Sequence, residues 1–380
     1  MPLALGTLLH LRENGETFML RTYFSAAALA AGLGMSCAYA APNSVAGVVF
    51  SSSNAASANA VLVYSRAVNG TLTALNPVPT GGRGTGAGLG DQGAVALGDD
   101  GGLLAVVNAG SNDFTLFAVE GTQLTQLSKT ASNGLLPISV AIYGDLIYVL
   151  NQGSDQISGF RIGSQGTVTA IQGSSRLLSG TGVGAAQVSF SPDGKYIVVT
   201  EKNTSKIDVF GLDENGLPSA TAQTIAAGGQ TPFGFGFSGN HTLVVSDAGG
   251  VNSVQSYHLL GNGTLTADEA PVIANANGVC WIVVSPGGKY AYSGDAGSGA
   301  ISGFSVGGGG VLTLQSTASI STPGASPHDE ATDAEGRFLY VLDTRGNTIL
   351  VFTRGADGSL QPLGTPVTGV PAGASGMAAQ

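Results

Sequence analysis

The chain has 380 residues, 60 of them glycine, with 10% charged residues and a formal net charge of −10. Its 14 lysine and arginine residues form no basic run, which excludes nucleic acids and anionic membrane surfaces as electrostatic partners. Small residues such as Gly, Ser, Thr, Ala and Asn take the place of charge. This composition is common in exported β proteins.

Residues 1–40 have the features of an export signal. A short basic start at 19–21 precedes an apolar stretch at 25–35 and a small-residue cleavage site at 38–40. The apolar stretch is too short to span a bilayer. We predict a leader and signal peptide at 1–40, a mature domain at 41–380 with no transmembrane anchor after cleavage, and a secreted or periplasmic location. Cleavage would leave Cys280 as the only cysteine, so no internal disulfide is expected.

One unit of about 48 residues then recurs to the end of the chain. It is clearest at 191–216, where a Pro-Asp-Gly turn leads into a β-branched strand, a polar loop and a second strand that ends in an aromatic residue. The closing aromatic residue recurs as Tyr64, Phe117, Phe160, Phe210, Tyr257, Phe304 and Phe352. Seven copies with room for four short strands each predict an all-β, seven-bladed β-propeller.

We name the strands of each blade A to D from the central channel outward. The first blade has strands B, C and D at 46–50, 61–64 and 70–75, but no strand A precedes them. The tail after Pro371 matches the segments that introduce strand A elsewhere, so we predict that this C-terminal strand joins the N-terminal blade and closes the ring. The other blades are predicted at 91–130, 137–178, 185–225, 233–273, 279–320 and 328–367.

In a propeller the loops before strand A and after strand B surround the channel mouth on one face. These positions are rich in oxygen atoms, and only Arg83, Lys202 and Arg345 could bring positive charge to them. We predict a set of ligand-binding residues here: Asn108, Asn151, Gln187, Asp247, Asp295, Asp329, Glu330 and Asp343. The alternative is that each Asn or Asp caps a turn through its own backbone. No spacing typical of a metal site is present, and we predict neither a metal nor a cofactor.

Glu201 and His328 are the candidate catalytic residues. Glu201 directly follows an apolar strand, and His328 is the only histidine at a mouth position. A carboxylate and an imidazole that face one channel could perform general acid–base chemistry on an ester or lactone. The alternative is a solvated glutamate and a surface histidine. No serine nucleophile motif is present.

Residues 192–210, 286–304 and 334–352 resemble repeats of the seven-bladed lactonase family, which includes 6-phosphogluconolactonase and the fungal carboxymuconate cyclases. The resemblance covers all seven repeats. It implies an Arg-His pair before strand A and a glutamate after strand B in the blade that matches blade four. Glu201 matches this glutamate, whereas Ala186 and Gln187 occupy the Arg-His positions. The shortage of arginines at the mouth and the export signal both disfavour a phosphorylated substrate.

The sequence therefore predicts an exported, monomeric, lactonase-like propeller that binds a small polar or neutral ligand at its channel mouth, with lactone hydrolysis as the candidate reaction. The alternative is a non-catalytic propeller that binds a protein or a cell-envelope glycan. The fold alone does not decide between them. Catalysis requires Glu201 and His328 to converge on one small molecule.

Overall fold

The computed structural model describes residues 44–98, 100–319 and 324–380, with no side-chain description at 316–319. The predicted leader and signal peptide and the predicted end of blade six, Ile320, lie outside the described residues. The described strands form seven antiparallel sheets, which confirms the predicted seven-bladed propeller. No helix among these residues is long and apolar enough to cross a membrane.

The strands are numbered in chain order. The first two blades and the start of the third contain β1 (Val45–Ser52), β2 (Ala60–Ala67), β3 (Leu72–Ala74), β4 (Val78–Pro79), β5 (Val95–Leu97), β6 (Leu103–Asn108), β7 (Asp113–Glu120), β8 (Gln123–Ala131), β9 (Pro137–Tyr143) and β10 (Leu146–Asn151). Blades three to five continue with β11 (Gln156–Ile162), β12 (Val168–Ala170), β13 (Arg176–Leu177), β14 (Ala185–Phe190), β15 (Tyr196–Glu201), β16 (Lys206–Gly211), β17 (Gln223–Ala226), β18 (Gln230–Ser238), β19 (Thr242–Gly249), β20 (Ser253–Leu259), β21 (Leu265–Ala267) and β22 (Val272–Ile273).

The last two blades and the closing strand contain β23 (Val279–Val284), β24 (Tyr290–Asp295), β25 (Ala300–Val306), β26 (Leu312–Ser319), β27 (Pro327–Thr332), β28 (Phe338–Asp343), β29 (Thr348–Arg354), β30 (Leu360–Pro362), β31 (Val367–Thr368) and β32 (Ser375–Ala379). Short 3₁₀ turns lie at Gln152–Ser154, Ser164–Gly166 and Gly308–Gly310. In four blades strand D is split into two short pieces that both pair with strand C, which the sequence did not predict.

The ring closes as predicted. The C-terminal strand β32 pairs antiparallel with β1 and becomes strand A of the first blade. Arg66, 2% exposed, reinforces this closure by donating hydrogen bonds to the main-chain carbonyls of Ala46 (3.0 Å) and Gln380 (3.3 Å). Its guanidinium also lies 3.8 Å from the buried carboxylate of Asp333 in blade seven. The first and last strands, β1 and β32, are thus tied to each other and to blade seven.

The hydrophobic core lies between the blades rather than in the channel. Each closing aromatic of strand C is buried against the blade that precedes it. Phe160 of blade three, for example, packs edge-on against Phe114 of blade two with ring centroids 4.9 Å apart. A fully buried ring of this kind stabilises the fold by about 1.5–3 kcal/mol. This packing explains why the aromatic repeat is so regular in the sequence.

Candidate active site at the channel mouth

The start of strand A is irregular in six of the seven blades. Strand A there contributes one extra residue to its pairing with strand B, which is a β-bulge. A bulge redirects the side chains next to it. Phe233, Trp281 and His328 lie in or next to the bulges of blades five, six and seven. Three neighbouring blades thereby bring an aromatic ring to the channel mouth.

These three rings form a continuous row, which we call the mouth row. The centroids of Phe233 and Trp281 are 4.9 Å apart. Trp281 and His328 are stacked, with centroids 3.9 Å apart and planes inclined by 16°. The indole Nε1 of Trp281 donates a 2.7 Å hydrogen bond to the main-chain carbonyl of Asp91, which introduces blade two. The mouth row therefore reaches across the channel.

His328 forms one end of the mouth row. Its Nε2 lies 3.1 Å from the hydroxyl of Thr344 and 3.4 Å from that of Ser326. Its Nδ1 has no hydrogen-bond partner among the described residues and is not sealed from solvent. Burial lowers the pKa of His328 to about 4, although the Asp343 carboxylate opposes this shift. The imidazole is therefore neutral at physiological pH.

Lys202 forms the opposite end. Its ammonium lies 5.0 Å from the centroid of the Phe233 ring and donates a hydrogen bond to the carbonyl of Gly90. Burial lowers the pKa of Lys202, and the neighbouring Asp91 opposes this shift. Of the three cationic residues that the sequence offered, Arg83 and Arg345 have exposed side chains. The described mouth thus carries an ammonium group at one end and a neutral imidazole at the other.

Buried carboxyl groups lie beneath the mouth row. Asp91 accepts a 3.0 Å hydrogen bond from Ser375, and its pKa is raised well above the usual range by burial and then by Asp329. Burial raises the pKa of Asp329 to about 6. Burial, and then the charge of Asp295, raise the pKa of Glu330, whose two oxygens have no partner among the described residues. Burial thus disfavours the charged form of all three carboxyl groups.

Two glutamines brace the channel wall. Gln92 bonds to both main-chain groups of Ile282 in blade six: its Nε2 donates to the carbonyl (2.7 Å) and its Oε1 accepts from the amide (3.0 Å). Gln187 makes the same pair of bonds to Phe235 in blade five. A cavity of about 280 Å³ continues along the channel from these glutamines, past Asp329 and Glu330, to the ends of the A strands. Gln187, Asp329 and Glu330 thus lie in the channel wall and not on the mouth row.

The other predicted ligand-binding residues lie at the ends of the B strands. Asn108, Asn151, Glu201, Asp247, Asp295 and Asp343 are all fully buried. Several of them hold the connection that enters their blade. Asn108 accepts a bond from Thr80 (2.7 Å), for example, and Asp343 accepts one from the amide of Ser326 (2.9 Å). Their contacts are those of turn and connection caps, and ligand binding by them stays a prediction.

The carboxylate of Glu201 likewise holds the connection that enters its blade. It accepts hydrogen bonds from the amide (2.9 Å) and the hydroxyl (2.6 Å) of Ser179 and from the hydroxyl of Thr204. No hydrogen bond among the described residues connects it to His328. The structure therefore places the two candidate catalytic residues in separate environments, and their joint action stays a prediction.

Sequence reasoning missed Phe233 and Trp281. Trp281 is the only tryptophan of the chain and directly follows Cys280, the cysteine that remains after the predicted leader. A single large aromatic residue at the start of an innermost strand was a usable signal. Its side-chain direction, however, depends on a bulge that the repeat does not reveal.

Comparisons with known proteins by sequence and by structure point to the same family. The family model described as "Lactonase, 7-bladed beta-propeller" matches residues 56–183, 163–280 and 252–374. A crystal structure described as a "putative 6-phosphogluconolactonase" from Bacteroides fragilis is 20% identical, with a TM-score of 0.72 over 88% of this chain and 98% of that one. The Pseudomonas aeruginosa periplasmic gluconolactonase PpgL is 17% identical, with a TM-score of 0.71 over 88% and 99%. At such identities the two structures show the fold alone. No curated protein matches the chain.

Proposed function

The chain belongs to the lactonase family of seven-bladed β-propellers, and from this premise we propose that it hydrolyses a small unphosphorylated lactone at the mouth row. The observation that carries this proposal is the placement of Lys202 and His328 at opposite ends of one row of rings. A small lactone with oxygen substituents can then contact a cation at one end of the row and a proton acceptor at the other.

In this mechanism His328 acts as the general base. With its proton on Nε2 and directed to Thr344, the free Nδ1 accepts a proton from a water molecule that attacks the lactone carbonyl carbon. The ammonium of Lys202, at the other end of the row, binds an oxygen substituent of the lactone and so orients its carbonyl toward His328. When the ring C–O bond breaks, the imidazolium returns its proton to the leaving alkoxide. A pKa of about 4 keeps His328 neutral but makes it a weak base, so turnover is modest.

The charges at the mouth support an unphosphorylated substrate. A phosphate group is held best by paired arginine side chains. Arg83 and Arg345 are exposed and make no contact with the mouth row among the described residues. Lys202 alone offers positive charge there, and its ammonium already donates to Gly90.

We also propose that the protein is exported. Residues 1–40 have the three parts of a signal peptide, and the composition is poor in charge. The structurally similar protein from Pseudomonas aeruginosa is described as periplasmic. Assignment to the carboxymuconate cyclases within the family stays a prediction.

A second candidate function is binding without catalysis. The specific observation in its favour is the dense packing of the mouth row, because Phe233 and Trp281 are only 6% and 5% exposed. The rim of the mouth could then present a surface to a protein or a cell-envelope glycan.

Hydrolysis of a lactone panel separates these functions. We expect measurable ring opening of unphosphorylated five- and six-membered sugar lactones, slower opening of the 6-phosphorylated lactone, and a loss of at least tenfold in Lys202→Met. The matched control is Lys289→Met, since Lys289 lies in the turn between strands A and B, on the opposite face of the propeller. Rates equal to the uncatalysed reaction for every lactone would refute the enzyme and leave the binding function.

A further inference from the structure

Two side chains cross the channel from opposite sides. Trp281 extends from blade six to the carbonyl of Asp91 at the entrance of blade two. The next residue of that entrance, Gln92, extends back and bonds to both main-chain groups of Ile282 in blade six. We call Trp281 and Gln92 the septum, because together they connect opposite walls of the channel.

The septum is tightly packed. A Cβ atom at Gly234 of blade five would lie 1.9 Å from the Gln92 side-chain oxygen, so a side chain there would collide with the septum. Trp281 is covered by His328 on one side and is 5% exposed. These contacts leave no opening for a substrate to extend past the septum.

The 280 Å³ channel cavity lies on the side of the septum away from the mouth row. Its wall carries the polar side chains of Gln92, Gln187, Ser189, Asp329 and Glu330 beside nearly buried apolar residues of the A strands. A hydroxylated chain could form hydrogen bonds with these groups. The septum, and not the chemistry of the cavity, therefore keeps such a chain out.

We propose that the septum is the specificity determinant of this enzyme: it restricts the mouth row to compact lactones with short polar substituents and excludes lactones that carry a long hydroxylated chain. This inference rests on the proposed lactone hydrolysis. It assigns to Trp281 and Gln92 a role in selecting the substrate and no role in proton transfer.

The kinetic test compares a compact hydroxylated lactone with a lactone that bears a long hydroxylated chain. In Gln92→Ala/Trp281→Ala we expect the ratio of their kcat/KM values to shift by about tenfold or more toward the long-chain lactone. Val188→Ala is the matched control, because it enlarges the cavity without opening the septum; its ratio should stay within twofold of wild type. An unchanged ratio in a double variant that still melts cooperatively would overturn the proposal.

A second readout does not need activity. Gln92→Ala keeps Trp281, the only tryptophan, so its fluorescence reports access from the cavity side. We expect acrylamide to quench Trp281 at least twofold more strongly in Gln92→Ala than in wild type or Val188→Ala. Equal quenching would refute the septum itself. If no variant hydrolyses any lactone, the proposed function fails, whereas the quenching result still decides whether the channel is closed.

Discussion

His328 lies flat on Trp281, with ring centroids 3.9 Å apart and planes 16° from parallel. Since Trp281 is the only tryptophan, its emission reports the charge on His328 directly. We expect the fluorescence to change in a single step with a midpoint near pH 4, as the imidazole gains a proton. His328→Gln should abolish the step, and His258→Gln, at an exposed position in strand C of blade five, should retain it. A midpoint near 6.5 in the native protein would show that the ring is not buried.

Glu201 gives a second prediction, because its carboxylate lies beside Asp208. Burial first and then the nearby Glu201 raise the pKa of Asp208 to about 7, against the hydrogen bond from Thr224. The nearly isosteric Glu201→Gln removes this repulsion, so the pKa of Asp208 should decrease and stability should depend less on pH between 5 and 8. Lactone hydrolysis should stay within about twofold of wild type.

If Glu201→Gln lost about a hundredfold in the rate of lactone hydrolysis at an unchanged melting temperature, this prediction would be wrong. Such a loss would restore the acid–base role that the sequence predicted for Glu201. Thr204→Val, which removes one of the donors to Glu201 on a partly exposed loop, serves as the control for a purely structural effect.

The pH dependence of stability gives a third prediction. Burial raises the pKa of Asp247 and of Asp295 to about 7. A carboxyl whose pKa is raised in the folded state holds its proton there after the unfolded chain has lost it. Its stabilising effect is complete below about pH 4, decreases as the pH rises, and is gone above about pH 7.

We therefore expect the melting temperature to be several degrees higher at pH 5 than at pH 8. Asp247→Asn and Asp295→Asn should each reduce this difference, because an amide does not ionise. Calorimetry at the two pH values checks the prediction. A protein that is more stable at pH 8 would show that these carboxyls are ionised when folded.

Ring closure gives a fourth prediction. Arg66→Ala removes the hydrogen bonds to Ala46 and Gln380 and leaves the Asp333 carboxylate with one fewer cation nearby. We therefore expect the free energy of unfolding to decrease by about 3–5 kcal/mol. Amide hydrogens of Ser375–Ala379 should exchange faster. The control is Arg161→Ala, whose ion pair with Asp145 lies at the surface and contributes less than about 1 kcal/mol. Equal losses for both variants would exclude a special role for Arg66.

The sequence was sufficient to predict the ring, but not its mouth. The ring follows from residues that repeat, such as Phe160 and Phe210, since each blade must bury one ring against its neighbour. The mouth depends on side-chain directions, and a one-residue bulge before Trp281 changes them without changing the pattern of residues. The same limit applies to Glu201. The sequence shows an acidic residue at the end of strand B, but it does not show whether the carboxylate faces the channel or the hydroxyl of Ser179.

The most direct test of the proposed mechanism is the pH profile of kcat/KM for one unphosphorylated sugar lactone in wild type and His328→Gln. We predict a constant value from pH 5 to 8, a decrease near pH 4 as His328 becomes protonated, and a loss of about a hundredfold in His328→Gln at every pH in that range. Superimposable profiles for the two proteins would contradict the assignment of His328 as the base.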